Sequence, residues 1–384
     1  MKKKSRQVKF NNYVVVDTNP NDNSVLVSKF EKDLITKYLN KNLSEFKDDC
    51  EIEKISSNFF YESYSILIDN KKFLLKISLD PDNRKLTTEY NSLNSIADRI
   101  STKIISYEND KKNGIELLLT TWENGESFKE FGIEDLVYNL GTFCNVLAEV
   151  NESKNEKAIS FLDLFLLNES VVPLFNSINP KEVLIFEKLV DLTLDDLDKI
   201  FLKIKKDYLD KYEEKITVLS HSNLQLSNIL YNSGYIKFIN FENSHNCDIY
   251  YSLLQVVNNL GLYFNEKKVT KFLTIYHSAS TILKEVTLDE FLNTYEERKK
   301  FNEILMFHDL LHKILFHFVA YGAFYKSSYL IRYMDLYLTL KPSVKELFPE
   351  YIKSFDKLFF TVMPTVKTYD IKELEKIRDS DSNQ

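Results

Sequence analysis

The segment His221-Ser222-Asn223-Leu224-Gln225-Leu226-Ser227-Asn228, together with the residues just C-terminal to it, constrains the fold more than any other part of the chain. Two short β-rich runs come next, Ile229-Leu230-Tyr231 and Tyr235-Ile236-Lys237-Phe238-Ile239. The turn residues Asn232-Ser233-Gly234 separate them. Runs of this length around such a turn read as a β-hairpin. The hairpin leaves through Asn240-Phe241-Glu242, so polar segments bracket it on both sides.

The order and spacing of these segments resemble the aminoglycoside phosphotransferase and choline kinase superfamily, the small-molecule branch of the protein kinase-like fold. That family has a catalytic loop His-Gly-Asp-x-x-x-x-Asn, then Ile-Asp-Phe/Trp-Glu, then Gly-Asp-Pro-x-x-Asp-Leu-Ala. Here the last two read Ile239-Asn240-Phe241-Glu242 and Cys247-Asp248-Ile249-Tyr250-Tyr251-Ser252-Leu253-Leu254. Asp248 fits the first Asp of the final motif, and Ser252 stands where a structural Asp would be. The resemblance implies an α+β, bilobal protein kinase-like fold, with a small β-rich N-lobe and a larger, mainly helical C-lobe. It implies ATP or GTP with Mg²⁺ as cofactor. It puts Asn223 at the catalytic-base position beside His221, and Asn228 and Asn240 at the metal positions.

Both acidic positions thus carry amides. An amide orients a hydroxyl but has no accessible proton-accepting pKa. Its oxygen is also a poorer ligand for a hard divalent cation than a carboxylate. The expectation is a phosphotransferase fold that has lost central groups.

The N-terminal third supplies a second, independent match. Residues 64–68 and 72–78 read as two strands around the turn Asp69-Asn70, and Lys76 lies inside the apolar run Phe73-Leu74-Leu75-Lys76-Ile77. A Lys in such a run is costly to bury unless paired. The helix expected over 84–99 contains Glu89. In the family pattern the Lys holds the α/β-phosphates and pairs with the Glu. The competing reading is an edge-strand Lys with a solvated helix Glu.

Residues 115–122 form a further apolar strand running into Glu123-Asn124-Gly125, where the family has its hinge. The resemblance implies adenine contacts to the backbone near Thr121 and Glu123. Gly125 is one of only 7 glycines. The phosphate-covering loop matches least. Ser56-Ser57-Asn58-Phe59-Phe60-Tyr61-Glu62-Ser63 holds no glycine, although glycines let backbone approach phosphates closely. Ser57-Asn58 corresponds to a Ser-Asn step common in the small-molecule branch. The three aromatics are expected to fill the space of a triphosphate, which predicts weak or absent nucleotide binding.

Composition bounds the rest. The chain has 384 residues, a net charge of −7 and only three scattered cysteines. That charge, with no basic aromatic patch, argues against nucleic acid and anionic membranes as partners. The basic start Met1-Lys2-Lys3-Lys4 is followed by no apolar signal core. The longest apolar stretch, 314–325, is too short to span a bilayer. Cysteine usage points to a reduced, cytoplasmic setting.

Four segments are expected. Residues 1–50 read as an extension with a strand and a helix over 27–42. Residues 51–122 read as the nucleotide-binding-like N-lobe, 123–369 as the helical C-lobe, and 370–384 as a charged, flexible tail. Leu136, Leu140, Phe143 and Leu147 recur at helical spacing and read as core. The acidic stretch 191–198 reads as a solvated helix face or as a surface for a cationic substrate. His308, His312 and His317 read as helix-packing residues, since the His-Glu-x-x-His pattern is absent. His245 is a candidate to replace a lost carboxylate.

Three functions fit these residues. The first is a catalytically impaired, pseudokinase-like protein acting through a small-molecule or protein partner. The second is an active ATP/GTP-dependent phosphotransferase on a small-molecule or peptide hydroxyl. The third is a nucleotide sensor without turnover.

Overall fold

The computed structural model describes residues 7–10, 13–16, 32–43, 50–57, 61–78, 84–110, 115–128, 133–153, 155–163, 180–208, 211–261, 266–321 and 328–361. β1 (Gln7–Phe10) and β2 (Tyr13–Val16) form a separate antiparallel ladder. After α1 (Lys32–Asn42) come β3 (Glu51–Ser57), β4 (Glu62–Ile68), β5 (Lys71–Ser78), α2 (Lys85–Leu93), β6 (Ile104–Asp110) and β7 (Ile115–Thr121). The five strands make one antiparallel sheet in the order β3-β4-β5-β7-β6. The β4–β5 turn is tight because Asp69 and Asn70 both take left-handed backbone, with φ of 45° and 64°. Two-residue hairpin loops need that geometry, and short polar side chains tolerate it.

The two faces of the sheet separate by the period of two. Tyr64, Ile66, Leu75 and Leu119 turn toward α1 and bury Ile35, Tyr38 and Leu39. The Tyr38 hydroxyl meets Ser106 at 2.8 Å, and Lys41 pairs with Glu108 at 2.9 Å. The helix of the expected N-terminal extension is therefore part of the small lobe. It spans Lys32–Asn42; the earlier part of the expected run lies outside the described residues. Lys76 lies across the ladder from Ser63 on one side and Leu118 on the other, on the opposite face.

Beyond β7 the chain is mostly helical. β8 (Glu126–Ser127), α3 (Ile133–Tyr138), α4 (Leu140–Glu152), α5 (Pro180–Val190) and α6 (Leu194–Asp207) precede β9 (Thr217–Ser220). A 3₁₀ turn at Leu226–Asn228 leads into β10 (Ile229–Asn232), β11 (Tyr235–Phe238) and β12 (His245–Asp248). α7 (Ile249–Asn259), α8 (Glu266–Ala279), α9 (Leu288–Tyr321), α10 (Ser328–Leu347) and α11 (Ile352–Thr361) complete the lobe. Leu136, Leu140, Phe143 and Leu147 are buried in its core, as their spacing predicts. β10 and β11 form the expected hairpin, and β8 adds a third strand to it. The 370–384 tail lies outside the described residues.

The acidic stretch 191–198 is used locally. Thr193 and Asp196 form a capping box at the start of α6, which satisfies backbone donors that a helix leaves open. Asp191 pairs with Lys357 at 3.2 Å. Among the described residues, no helix is long and apolar enough to cross a membrane.

The lobes are stitched behind the site. Leu93, Ile96 and Ile100 follow α2 into the core of the large lobe. The Phe238 N–H donates to the Ile100 carbonyl at 2.9 Å. The hairpin that carries the polar segments is thereby fixed against the helix that carries Glu89.

Candidate active site

Lys76 and Glu89 meet as an ion pair. Nζ lies 2.7 and 2.9 Å from the two Glu89 carboxylate oxygens, and both residues are only 3% exposed. Burial alone would leave either charge uncompensated, so each is the condition for the other. Burial lifts the Glu89 carboxyl above its usual range, against the pull of the Lys76 charge and a hydrogen bond from the Phe241 backbone.

The third acceptor for Lys76 comes from the other lobe. Asn240 Oδ1 lies 3.0 Å from Nζ. An ammonium has three donors, and Glu89 and Asn240 offer three oxygens. Asn240 sits in left-handed backbone with φ of 65°, which Asn adopts more readily than most residues. Its Nδ2 donates to Asn228 Oδ1 at 2.8 Å. Asn228 Nδ2 donates in turn to the Asn223 carbonyl at 2.8 Å. The run from Lys76 through Asn240 and Asn228 to Asn223 is a one-way relay of donors into acceptors. Each bond polarises the next.

This relay decides how the site treats a metal. The oxygens of Asn228 and Asn240 are the metal positions implied by the resemblance, and both already accept hydrogen bonds from within the chain. Mg²⁺ asks for octahedral oxygen donors, commonly including carboxylates. The donor set here is two engaged amides and Glu242, whose Oε2 is 4.0 Å from Lys76. In this arrangement the residues do not fit the ion. No cluster of three or more His, Cys, Asp or Glu side chains suited to a metal occurs among the described residues.

His221 holds the loop rather than the proton. Its Nε2 lies 2.8 Å from the Ile239 carbonyl, which can only accept, so Nε2 carries the hydrogen. Its ring packs 4.4 Å from Phe241. Burial depresses its pKa to about 4. Asn223 is fixed through its backbone, with N–H to the His221 carbonyl at 2.8 Å and its carbonyl accepting from Gln225 at 3.0 Å. Ser222 takes left-handed backbone, φ 60°. Its hydroxyl reaches His245 Nδ1 at 2.9 Å. His245 packs on Phe161, and burial holds it neutral with a pKa near 4. It braces the loop through Ser222. Asp248 caps α7, accepting from Tyr250 N–H at 2.8 Å and Lys215 N–H at 2.7 Å.

At the expected hinge, two backbone donors are engaged within the chain. Thr121 N–H donates to the Lys103 carbonyl at 2.9 Å and Trp122 N–H to the Lys72 carbonyl at 3.2 Å. The Thr121 hydroxyl donates to Glu123 at 2.8 Å, and Glu123 pairs with Lys237 at 2.7 Å. Ser57 ends β3 opposite Glu62. Asn58, Phe59 and Phe60 lie outside the described residues.

Two residues join the site that sequence reasoning did not single out. Tyr61 turns its ring toward Lys76, 5.0 Å from Nζ to the centroid, and its hydroxyl donates to Glu242. The aromatic run 59–61 was the available signal for Tyr61. Glu242, inside the quoted Asn240-Phe241-Glu242 motif, was available as its carboxylate. His308 lies edge-on to Phe201 in the core, as a packing residue would; the side chain of His317 lies outside the described set.

A scan against protein-family models finds no match, and a search of curated protein sequences finds none either. Solved structures do match. An ethanolamine kinase of Plasmodium vivax aligns with a TM-score of 0.56 at 15% identity, over 84% of this chain and 91% of its own. A choline kinase of Cryptosporidium parvum Iowa II aligns with a TM-score of 0.51 at 15% identity, over 86% and 100%. The fold is kinase-like. A choline kinase of Streptococcus pneumoniae aligns with a TM-score of 0.51 at 13% identity, over 81% and 98%. The resemblance read from the sequence holds at the level of fold. At these identities the kinase-like fold is what is shared.

Proposed function

We propose that this chain is a kinase-fold protein impaired in phosphotransfer, pseudokinase-like, that acts by binding a small-molecule or protein partner. One observation carries the reading: Asn240 donates to Asn228 and accepts from Lys76. The amide does with an N–H what a carboxylate in this fold does with a cation. Asn223 adds that no carboxylate stands at the base position. Phosphoryl transfer rests on positioning and charge neutralisation, and a missing metal carboxylate removes much of the second. Nucleotide binding is supported by the kinases that share the fold, and ATP or GTP is the nucleotide class to try. Among the described residues no disulfide joins the cysteines, which supports a cytoplasmic setting.

The intact Lys76–Glu89 pair favours a second reading, an ATP/GTP-dependent phosphotransferase on a small-molecule or peptide hydroxyl. The test is thermal stability with ATP and GTP, with and without Mg²⁺, beside a phosphotransfer assay on choline, ethanolamine and aminoglycosides. The proposal expects no transfer and no Mg²⁺-dependent shift. Robust transfer that is lost on Lys76→Met would sink it.

A further inference from the structure

We propose that Tyr61 is an internal occupant of the phosphate position, its side chain tying the start of β4 to Glu242 and gating the access of a polyphosphate ligand to Lys76. This rests on the reading above that the protein binds a ligand, with a nucleotide as the class to try.

The placement comes from strand geometry. Residue 61 precedes β4, and Ser63 pairs with Lys76. Alternate residues share a face, so Tyr61 and Lys76 look the same way. Tyr61 is 9% exposed and packs with Leu86 of α2 and Leu118 of β7. Its ring faces the ammonium, 5.0 Å from centroid to Nζ. A cation over an aromatic face is an attractive contact, strongest where water is excluded. The hydroxyl donates to Glu242. Glu242 belongs to the segment after the hairpin, so one side chain bridges the start of β4 and the large lobe.

The occupancy is complete from the side of Lys76. Glu89 and Asn240 take its three donors, and Tyr61 covers it. An incoming anion must displace the neutral amide or the neutral phenol ring, because displacing Glu89 would leave a buried carboxylate without its cation. A di- or triphosphate carries the charge to do this. The shared chemistry is a polyphosphate, from a nucleotide or free in solution.

The test uses the full chain as wild type, Tyr61→Ala and Tyr61→Phe. Trp122 is the only tryptophan, and it lies at the hinge with the Lys72 ammonium 3.8 Å from its ring centroid. Its fluorescence therefore reports nucleotide at the hinge, and calorimetry reports inorganic tripolyphosphate. Both titrations are run without Mg²⁺. Tyr61→Ala should tighten ATP binding at least tenfold. Tyr61→Phe, which keeps the ring and loses the tether to Glu242, should tighten it about threefold. Tightening toward tripolyphosphate as well supports the gate with phosphate as the sole determinant. Tightening toward ATP alone supports it with a contribution from the base. Unchanged or weaker affinity in a Tyr61→Ala chain that melts cooperatively overturns the gate. If Tyr61→Ala does not fold, unchanged affinity in Tyr61→Phe overturns it. Phosphotransfer by the wild type would overturn the functional proposal alone and leave these titrations to decide the gate.

Discussion

Asn240 donates its amide N–H to Asn228 Oδ1 at 2.8 Å, and this bond stands where two oxygens would otherwise face one another. Asn240→Asp keeps an acceptor for Lys76 but removes that donor. The Asn228 oxygen, 3% exposed as a residue, then faces another oxygen. An unsatisfied buried acceptor costs about 1–3 kcal/mol. A divalent cation between the oxygens replaces the missing hydrogen. Asn240→Asp should therefore melt below wild type in chelator and be raised by Mg²⁺ more than wild type is. Differential scanning fluorimetry checks this, and a variant indifferent to Mg²⁺ refutes the idea that the amides close the metal position.

Lys76→Met leaves the Glu89 carboxyl buried without its cation. Removing one partner of a buried pair costs about 3–5 kcal/mol. The double variant Lys76→Met/Glu89→Gln removes both charges, and urea denaturation should show it regaining more than half of that loss. Additive losses in the double variant would mean that the two side chains do not act as a pair.

The sequence made some of these relationships legible and hid others for physical reasons. Lys76 was readable because a cation in an apolar strand needs a partner, and Glu89 was the carboxylate on the next helix. Asn223 and Asn240 were readable as substitutions in a spaced motif. The bond from Asn240 to Asn228 was not, because spacing does not say which way an amide points. Tyr61 was one of three adjacent aromatics, and only the strand register singles it out. The packing of α1 on the sheet was hidden because its core residues, Ile35, Tyr38 and Leu39, carry no mark of their partner.

Acid should destabilise the fold between about pH 6.5 and 4. Burial holds His221 and His245 near 4 and His308 near 3, whereas free histidine titrates near 6.5. Below pH 6.5 the unfolded chain binds protons that the folded chain refuses. The stabilisation is complete above pH 6.5 and is lost as pH falls toward the folded values. Each such group contributes a slope of up to about 1.4 kcal/mol per pH unit. Glu89 and Asp248, both raised by burial, act in the opposite sense, since the folded state takes up their protons first. Burial also lowers His312 and raises Asp335; four histidines outweigh three carboxyls, so the urea midpoint should fall from pH 7 to pH 5. His245→Gln should flatten the slope by about one proton. A midpoint that is level across this range refutes the prediction.

Gly125 is set by close approach. A Cβ there would lie 3.0 Å from the Tyr231 carbonyl oxygen and 3.3 Å from Leu230 Cβ. The neighbours cannot yield freely, because Glu126 and Ser127 pair with Tyr231 and Leu230 in the ladder. Asn232 Nδ2 holds the same strap through the Asn124 carbonyl at 3.2 Å. Overpacking a fixed backbone costs about 1–3 kcal/mol, so Gly125→Ala should destabilise by that order. It should also move Trp122, three residues upstream, and change its fluorescence. Gly141 is the control. It lies in the first turn of α4 with nothing within 4 Å of its would-be Cβ, and Gly→Ala in a helix stabilises by up to about 1 kcal/mol. Urea midpoints moving in opposite directions for the two variants are the expected result. Movement in the same direction would mean that the strap between the hinge and the hairpin gives way, and that Gly125 is not held by contact.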